Sequence, residues 1–197
     1  MAVQKKSRTK KSLTELSTSR SATLGLRYAL MVAAIAVPLL AIYFYPYSRT
    51  GAMAAGIRSY LSLYAKMVGA AISLFEPQVA VLGDTIAGQN FSVQIVKTCD
   101  AMDVTILLVA ALAALPISFR RRLAAVLASV VLLVLVNVIR ICVLYWLGAH
   151  APTWFHRAHQ TLAPLCMVVC ATVIFVIAIS QAAPRSSPDE VGNRVRS

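Results

Sequence analysis

Apolar residues run through this chain in long blocks, not at the intervals of an amphipathic helix. The blocks at 28–45, 101–119, 123–147 and 161–180 each approach or exceed the roughly 20 residues a helix needs to cross a hydrocarbon core, and they predict four transmembrane helices. A further stretch, 52–75, is apolar in bulk but carries Arg58 and Lys66 among Tyr60, Tyr64 and Ser73. An interfacial or re-entrant helix accommodates those charges and tyrosines at lower cost than a crossing. After Glu76-Pro77 the period changes. Residues 78–82 and 91–96 read as extended, the second because Phe91, Val93 and Ile95 alternate with Ser92 and Gln94, the period of a half-buried strand. Gly83-Asp84 and Gly88-Gln89-Asn90 are turn chemistry. A small hairpin or flap on the membrane surface is expected, with an edge that could meet an extended peptide.

Composition strengthens the membrane reading: 59% of residues are hydrophobic and 13% charged, with a mean hydropathy of +0.74, far from a soluble domain of this size. The excess of 19 Lys+Arg over 7 Asp+Glu points to anionic lipid, and nucleic acid is excluded as a partner. The cations gather in three places: Lys5 to Arg27 in the N-terminal tail, Arg120-Arg121-Arg122 in a short turn, and Arg185, Arg194 and Arg196 in the C-terminal tail. Cytoplasmic loops hold the excess of Lys and Arg. All three clusters lie inside together if 52–75 does not cross, which gives a multi-pass inner (plasma) membrane protein with both termini cytoplasmic. The expected class is an all-α polytopic membrane protein with about four transmembrane helices, an interfacial or re-entrant helix and a short extracytoplasmic extended segment. The domain division is a basic tail at 1–27, a membrane-embedded domain at 28–182 and a tail at 183–197. Both tails are too polar to bury a core, and disorder is expected for them.

Three residues stand out chemically. Of four cysteines, Cys142, Cys166 and Cys170 fall inside apolar spans as packing residues. Cys99 instead stands where the external segment meets a helix, and the unpaired N–H groups and dipole of a helix N-terminus favour an anion such as a thiolate. Its bland alternative is an unremarkable interfacial thiol, and Asp100 and Asp103 oppose the anion or cap the helix. Arg140 is the sharpest signal, because a guanidinium inside an apolar span costs roughly 2.5 kcal/mol or more. Asn137, one turn earlier on nearly the same face, suits an interior polar pocket; snorkelling to the outer interface is the alternative. His150, His156 and His159 all precede the last span, and histidine is the natural acid–base group near neutral pH. His159 is nearest the start of that helix. Their spacing lacks a firm zinc pattern and no Cys-x-x-Cys pair exists, so no metal or other cofactor is expected.

At these residues the chain resembles the exosortase/archaeosortase family of polytopic membrane transpeptidases, over roughly 98–180. The likeness lies in Thr98-Cys99-Asp100-Ala101-Met102, in Asn137-Val138-Ile139-Arg140-Ile141, and in Phe155-His156-Arg157-Ala158-His159. The resemblance implies a cysteine endopeptidase/transpeptidase with Cys99 as nucleophile, Arg140 as electrostatic stabiliser and His159 as proton shuttle. It also implies substrates: exported proteins held by a C-terminal motif, an apolar helix and a basic cluster. Two positions depart from the pattern. Asp100-Ala101 stands where the family usually has Ser or Asn followed by Gly, and Ala163 replaces a Gly or aromatic four residues past the histidine, which keeps His156 as the alternative histidine. The competing reading is a small membrane transport or assembly subunit in which Arg140 and Asn137 form a polar site.

Overall fold

The structure is a computed structural model that describes residues 2–46 and 51–182, with side chains from residue 22 to 181. Helix α1 spans Ala2–Phe44 and α2 spans Ala52–Ile72. Strands β1 (Ala80–Leu82), β2 (Thr85–Ala87) and β3 (Ser92–Gln94) follow, then α3 (Met102–Ala113) and α4 (Phe119–His150). A short helix α5 (Pro152–Arg157) continues through a π-turn at Ala158–Leu162 into α6 (Ala163–Ala182).

Three helical stretches among the described residues are long and apolar enough to cross a membrane: Ala22–Phe44, Phe119–His150 and Pro152–Gln181. Large apolar side chains such as Leu165, Val168, Val173 and Val176 stay exposed on α6, as they must on a surface solvated by lipid. The block at 101–119 forms a helix of only 12 residues, about 18 Å at 1.5 Å per residue. Pro116 disfavours helix at Leu115 before it. Arg122 then reaches back from α4, donating from Nη2 to the carbonyls of Leu115 (2.9 Å) and Ile117 (3.2 Å) just beyond the end of α3. Helices α1, α4 and α6 all pack on α3, whose Leu108 and Leu112 join Leu133 of α4 and Met167 of α6 in one buried cluster.

Helix α1 runs back to Ala2 through the stretch whose composition predicts disorder. That stretch mixes the good helix formers Lys5, Lys6, Arg8, Lys10, Lys11, Leu13 and Leu16 with weaker Ser and Thr, and has no Gly or Pro before Gly25 to break the helix. The expected tail at 183–197 lies outside the described residues.

The second cluster joins α2 to the sheet and to α4. Tyr64, Val68 and Ile72 of α2 pack with Ile86, Ile95, Ile141 and Tyr145, so α2 lies against protein on one face while Arg58 and Lys66 are exposed on the other. The extended segment is a three-stranded antiparallel meander of order β1-β2-β3, one strand more than a hairpin. The middle strand, Thr85-Ile86-Ala87, is too short to show a period between its two turns. Gly83 takes a positive φ of 63° at the first turn, where glycine carries no Cβ penalty.

The sheet is pinned to the end of α4 by aromatics. Phe91 packs edge-on against Tyr145 (5.9 Å between centroids) and Phe155 (5.3 Å), and its ring abuts Gly148 where any Cβ would sit. Tyr145 also donates to the Glu76 carboxylate at 2.8 Å. Gly148→Leu is therefore expected to expel the Phe91 ring and destabilise the fold by about 1–3 kcal/mol, the usual cost of overpacking. Gly56→Ala, in open space on α2, is expected to add up to about 1 kcal/mol. Thermal unfolding in detergent checks both signs.

Candidate active site

The loop from Lys97 to Ala101 is held from two sides. On one side, Tyr43 near the end of α1 places its hydroxyl within hydrogen-bond reach of the Lys97 carbonyl (3.1 Å) and Asp100 Oδ2. Lys97 Nζ in turn donates to the Tyr43 carbonyl at 3.1 Å and lies 5.5 Å from its ring centroid. Asp100 is 4% exposed, and its other oxygen accepts the Met102 N–H at 3.0 Å, satisfying an orphan donor in the first turn of α3. Burial pushes the Asp100 carboxyl above the usual carboxylate range, while the bonds from Tyr43 and Met102 pull the other way. Ala101 bridges into the helix in the left-handed region (φ 55°, ψ 25°), which costs a residue with a Cβ about 1–2 kcal/mol.

On the other side stands Asn137, with no exposed surface. Its Nδ2 donates to Tyr64 Oη at 2.8 Å and to the Cys99 carbonyl at 2.9 Å, and its Oδ1 accepts from Arg140 Nη1 at 3.2 Å. One side chain thus joins α2, the cysteine loop and the arginine. A buried amide without such partners would be costly; here both donor protons and the acceptor oxygen are engaged.

Beyond that contact, Arg140 Nε is buried without a partner among the described residues, so the guanidinium keeps donor capacity. Cys99, buried at 8% exposure, lies with Arg140 and His159 in the wall of one cleft, completed by Val93, Gln94, Ile95, Ile141, Leu144 and Phe155. His159 occupies the π-turn and stacks on Phe155 at 5.6 Å and 6°, which continues the Tyr145–Phe91–Phe155 aromatic row into the cleft.

The three residues singled out from the sequence therefore share one small space, with Asn137 beside it. His156 is exposed on α5 and does not line the cleft. His150 sits at the end of α4, its Nδ1 3.0 Å from the Trp146 carbonyl and its ring stacked on Trp146 at 4.8 Å. Tyr43, Tyr64 and Phe155 were not legible as site residues. Tyr64 counts toward an interfacial helix by its type, yet it faces inward to meet Asn137, and only its period with Leu61, Ala65 and Val68 on the buried face carries a trace of that.

Fold and cleft together define a multi-pass membrane protein with a thiol, a guanidinium and an imidazole in the wall of a small cleft between apolar helices and a small sheet. The family model of the transmembrane exosortase (Exosortase_EpsH) matches residues 16–176, and the chain belongs to that family. The match takes in most of α1, α2 and the sheet besides the motif-bearing region from 98 to 176. Membership implies a transpeptidase that processes sorting signals of exported proteins. No curated protein and no solved structure matches the chain.

Asn137→Leu is expected to strip the Tyr64 hydroxyl, the Cys99 carbonyl and an Arg140 N–H of their partner, at about 1–3 kcal/mol for each buried group left unsatisfied. Tyr64→Phe removes one bond and is expected to lower stability by about 1 kcal/mol. Thermal unfolding in detergent should rank the parent above Tyr64→Phe and both above Asn137→Leu; equal midpoints would deny the amide its linking role.

Proposed function

We propose that this protein is a membrane-embedded cysteine protease/transpeptidase that cuts C-terminal sorting signals of exported proteins through a thioester acyl-enzyme. The observation that carries the reading is the shared cleft: a thiol, a guanidinium with unused donors and an imidazole lie along one wall system in an otherwise apolar setting.

In this mechanism the Cys99 sulfur, as thiolate, attacks a backbone carbonyl of the sorting motif and forms a tetrahedral oxyanion. Arg140 stabilises that charge, or the thiolate before it; in a low-dielectric, water-poor pocket such an interaction is worth far more than in water. Collapse breaks the C–N bond, and His159 delivers a proton to the leaving amine. The thioester carbon is then attacked by water, which makes the reaction proteolysis, or by an amine, glycan or lipid hydroxyl, which makes it transpeptidation or transfer. His159 takes the proton from that incoming group, and the Cys99 thiolate is released. Asn137 acts as the support, holding Arg140 through Oδ1 and the nucleophile's backbone through Nδ2.

The reading places the cleft on the extracytoplasmic side of a plasma membrane, with both termini cytoplasmic. Arg120 and Arg140 are separated by about 30 Å of helix α4, so the arginine turn and the cleft fall toward opposite membrane faces. Helix α1 runs antiparallel to α3, with Tyr28 bonded to the Ala111 carbonyl at 2.8 Å and Tyr43 near Asp100. Arg27 therefore belongs to the same end of the bundle as the arginine turn, in keeping with the positive-inside bias. A transport path would need polar side chains on several facing helices, whereas the remaining cleft walls are mostly Val93, Ile95, Ile141, Leu144 and Phe155.

Cys99→Ala is expected to abolish release of an exported protein's C-terminal signal while the variant still inserts and folds; normal processing by it would remove the nucleophile assignment. Arg140→Lys keeps the charge but loses the planar fork, and a fall of about 10²–10³ in processing rate is expected. A membrane-impermeant maleimide added outside intact cells should modify Cys99 and stop processing; modification only after the membrane is opened would reverse the topology.

A further inference from the structure

Strand β3 is the sheet's outer strand, and its ladder fixes where each main-chain group points. Ile95 N donates to the Asp84 carbonyl at 2.9 Å and Gly88 N to the Phe91 carbonyl at 3.0 Å, with Val93 opposite Ile86 between them. In an antiparallel pair, hydrogen-bonded and non-hydrogen-bonded positions alternate. The N–H and C=O of Phe91, Val93 and Ile95 therefore turn toward β2, and those of Ser92 and Gln94 turn off the sheet. Among the described residues no main-chain partner is assigned to Ser92 or Gln94.

Edges left open are usually blunted by a charge, a proline, a bulge or a covering element. The run from Phe91 to Val96 contains neither a charged residue nor a proline, and the β2–β3 register proceeds without a bulge. The strand at the far edge has other neighbours: α2 packs on β1 and β2, with Val81 pressed against Gly69. Val93, Gln94 and Ile95, in the unblunted strand and its continuation, also line the cleft that holds Cys99, Arg140 and His159.

The geometry points to β3 as the docking strand for substrate: an extended segment of an exported protein's sorting signal adds as a fourth strand, bonded to the main-chain groups of Ser92 and Gln94. This inference rests on the catalytic reading of Cys99 given above. Strands pair about 4.8 Å apart, so the added chain lies alongside β3 at the mouth of the cleft. Strand β3 leads on toward Cys99, and pairing with it brings successive substrate carbonyls up to the sulfur. Main-chain bonds supply affinity with little regard to side chain, and every second substrate side chain faces the enzyme to be selected. The arrangement therefore fits a polypeptide in extended form and not a helical one: the sorting signal must be unwound at the point of cleavage.

The test uses the full-length protein in membranes with an exported protein from the same genome that ends in a short motif, an apolar helix and a basic cluster. In the Cys99→Ala background, a benzophenone side chain introduced at position 94 should capture that protein near its motif, and one at position 82, on the far strand, should not. Gln94→Pro removes an N–H that points off the sheet, a replacement edge strands tolerate, together with the side-chain bond to Asp84 Oδ2, and Gln94→Ala, which loses that bond but keeps the N–H, is the control. Processing by Gln94→Pro should fall about tenfold relative to that control, on the scale of one main-chain hydrogen bond, with the unfolding midpoint and the reactivity of Cys99 toward a small thiol reagent unchanged. Capture at 82 in place of 94, capture of a second copy of this chain at 94, or parental processing by a folded Gln94→Pro would each overturn the docking strand. Should Gln94→Pro fail to fold, the capture experiment decides alone. Failure of the catalytic reading shows up separately, as processing by Cys99→Ala.

Discussion

A carboxamide inside an apolar helix has to find its hydrogen bonds within the protein, and the three that Asn137 finds determine how the rest of the structure comes together. Its two N–H groups hold the Tyr64 hydroxyl and the Cys99 carbonyl, and its oxygen holds Arg140. Helix α2 can therefore approach α4 only with Tyr64 turned inward. The loop ahead of α3 can approach only with its backbone at the amide. Lipid offers no substitute partner, so these contacts are set by what α4 carries and not by water. The loop is pinned again from α1 by Tyr43, and the nucleophile candidate stands between two anchors on helices that are not neighbours in sequence.

Much of this was readable from residue types. Apolar blocks gave the long helices, because a span needs length and composition and little else. Arg140, Asn137, Cys99 and His159 were legible because each is costly or conspicuous in its place, and all four meet at one site. The short α3 was not legible: its apolar block continues to Phe119, and the break depends on Pro116 together with a carbonyl contact from Arg122 that only the folded turn supplies. Strand β2 escaped for the same kind of reason, since three residues between two turns carry no period. Tyr43 and Tyr64 escaped because tyrosines near membrane boundaries have an ordinary explanation, and their bonds across 57 and 73 residues leave no local mark.

The departure at Asp100-Ala101 gains a physical meaning from the backbone. The left-handed conformation at Ala101 is one that glycine enters freely and alanine does not, so the Gly that the resemblance implies at that place would relax the backbone. Here the loop tolerates alanine because Asp100 is tied to the Met102 N–H and to Tyr43, a tether on both sides of the unfavourable residue. The aspartate that looks out of place beside the candidate nucleophile thus acts on the chain conformation.

The π-turn at Ala158–Leu162 has a consequence for how α5 and α6 are phased. A π-turn accommodates one more residue than an α-turn, so it rotates everything after it by about a hundred degrees relative to an unbroken helix. That rotation lets His159 look into the cleft while Ala163, Met167, Ala171 and Ile174 present a continuous buried stripe to α3 and α4. Excision of a single residue from the turn would restore regular winding yet bring the two faces out of phase, and either the imidazole or the stripe would have to turn toward lipid.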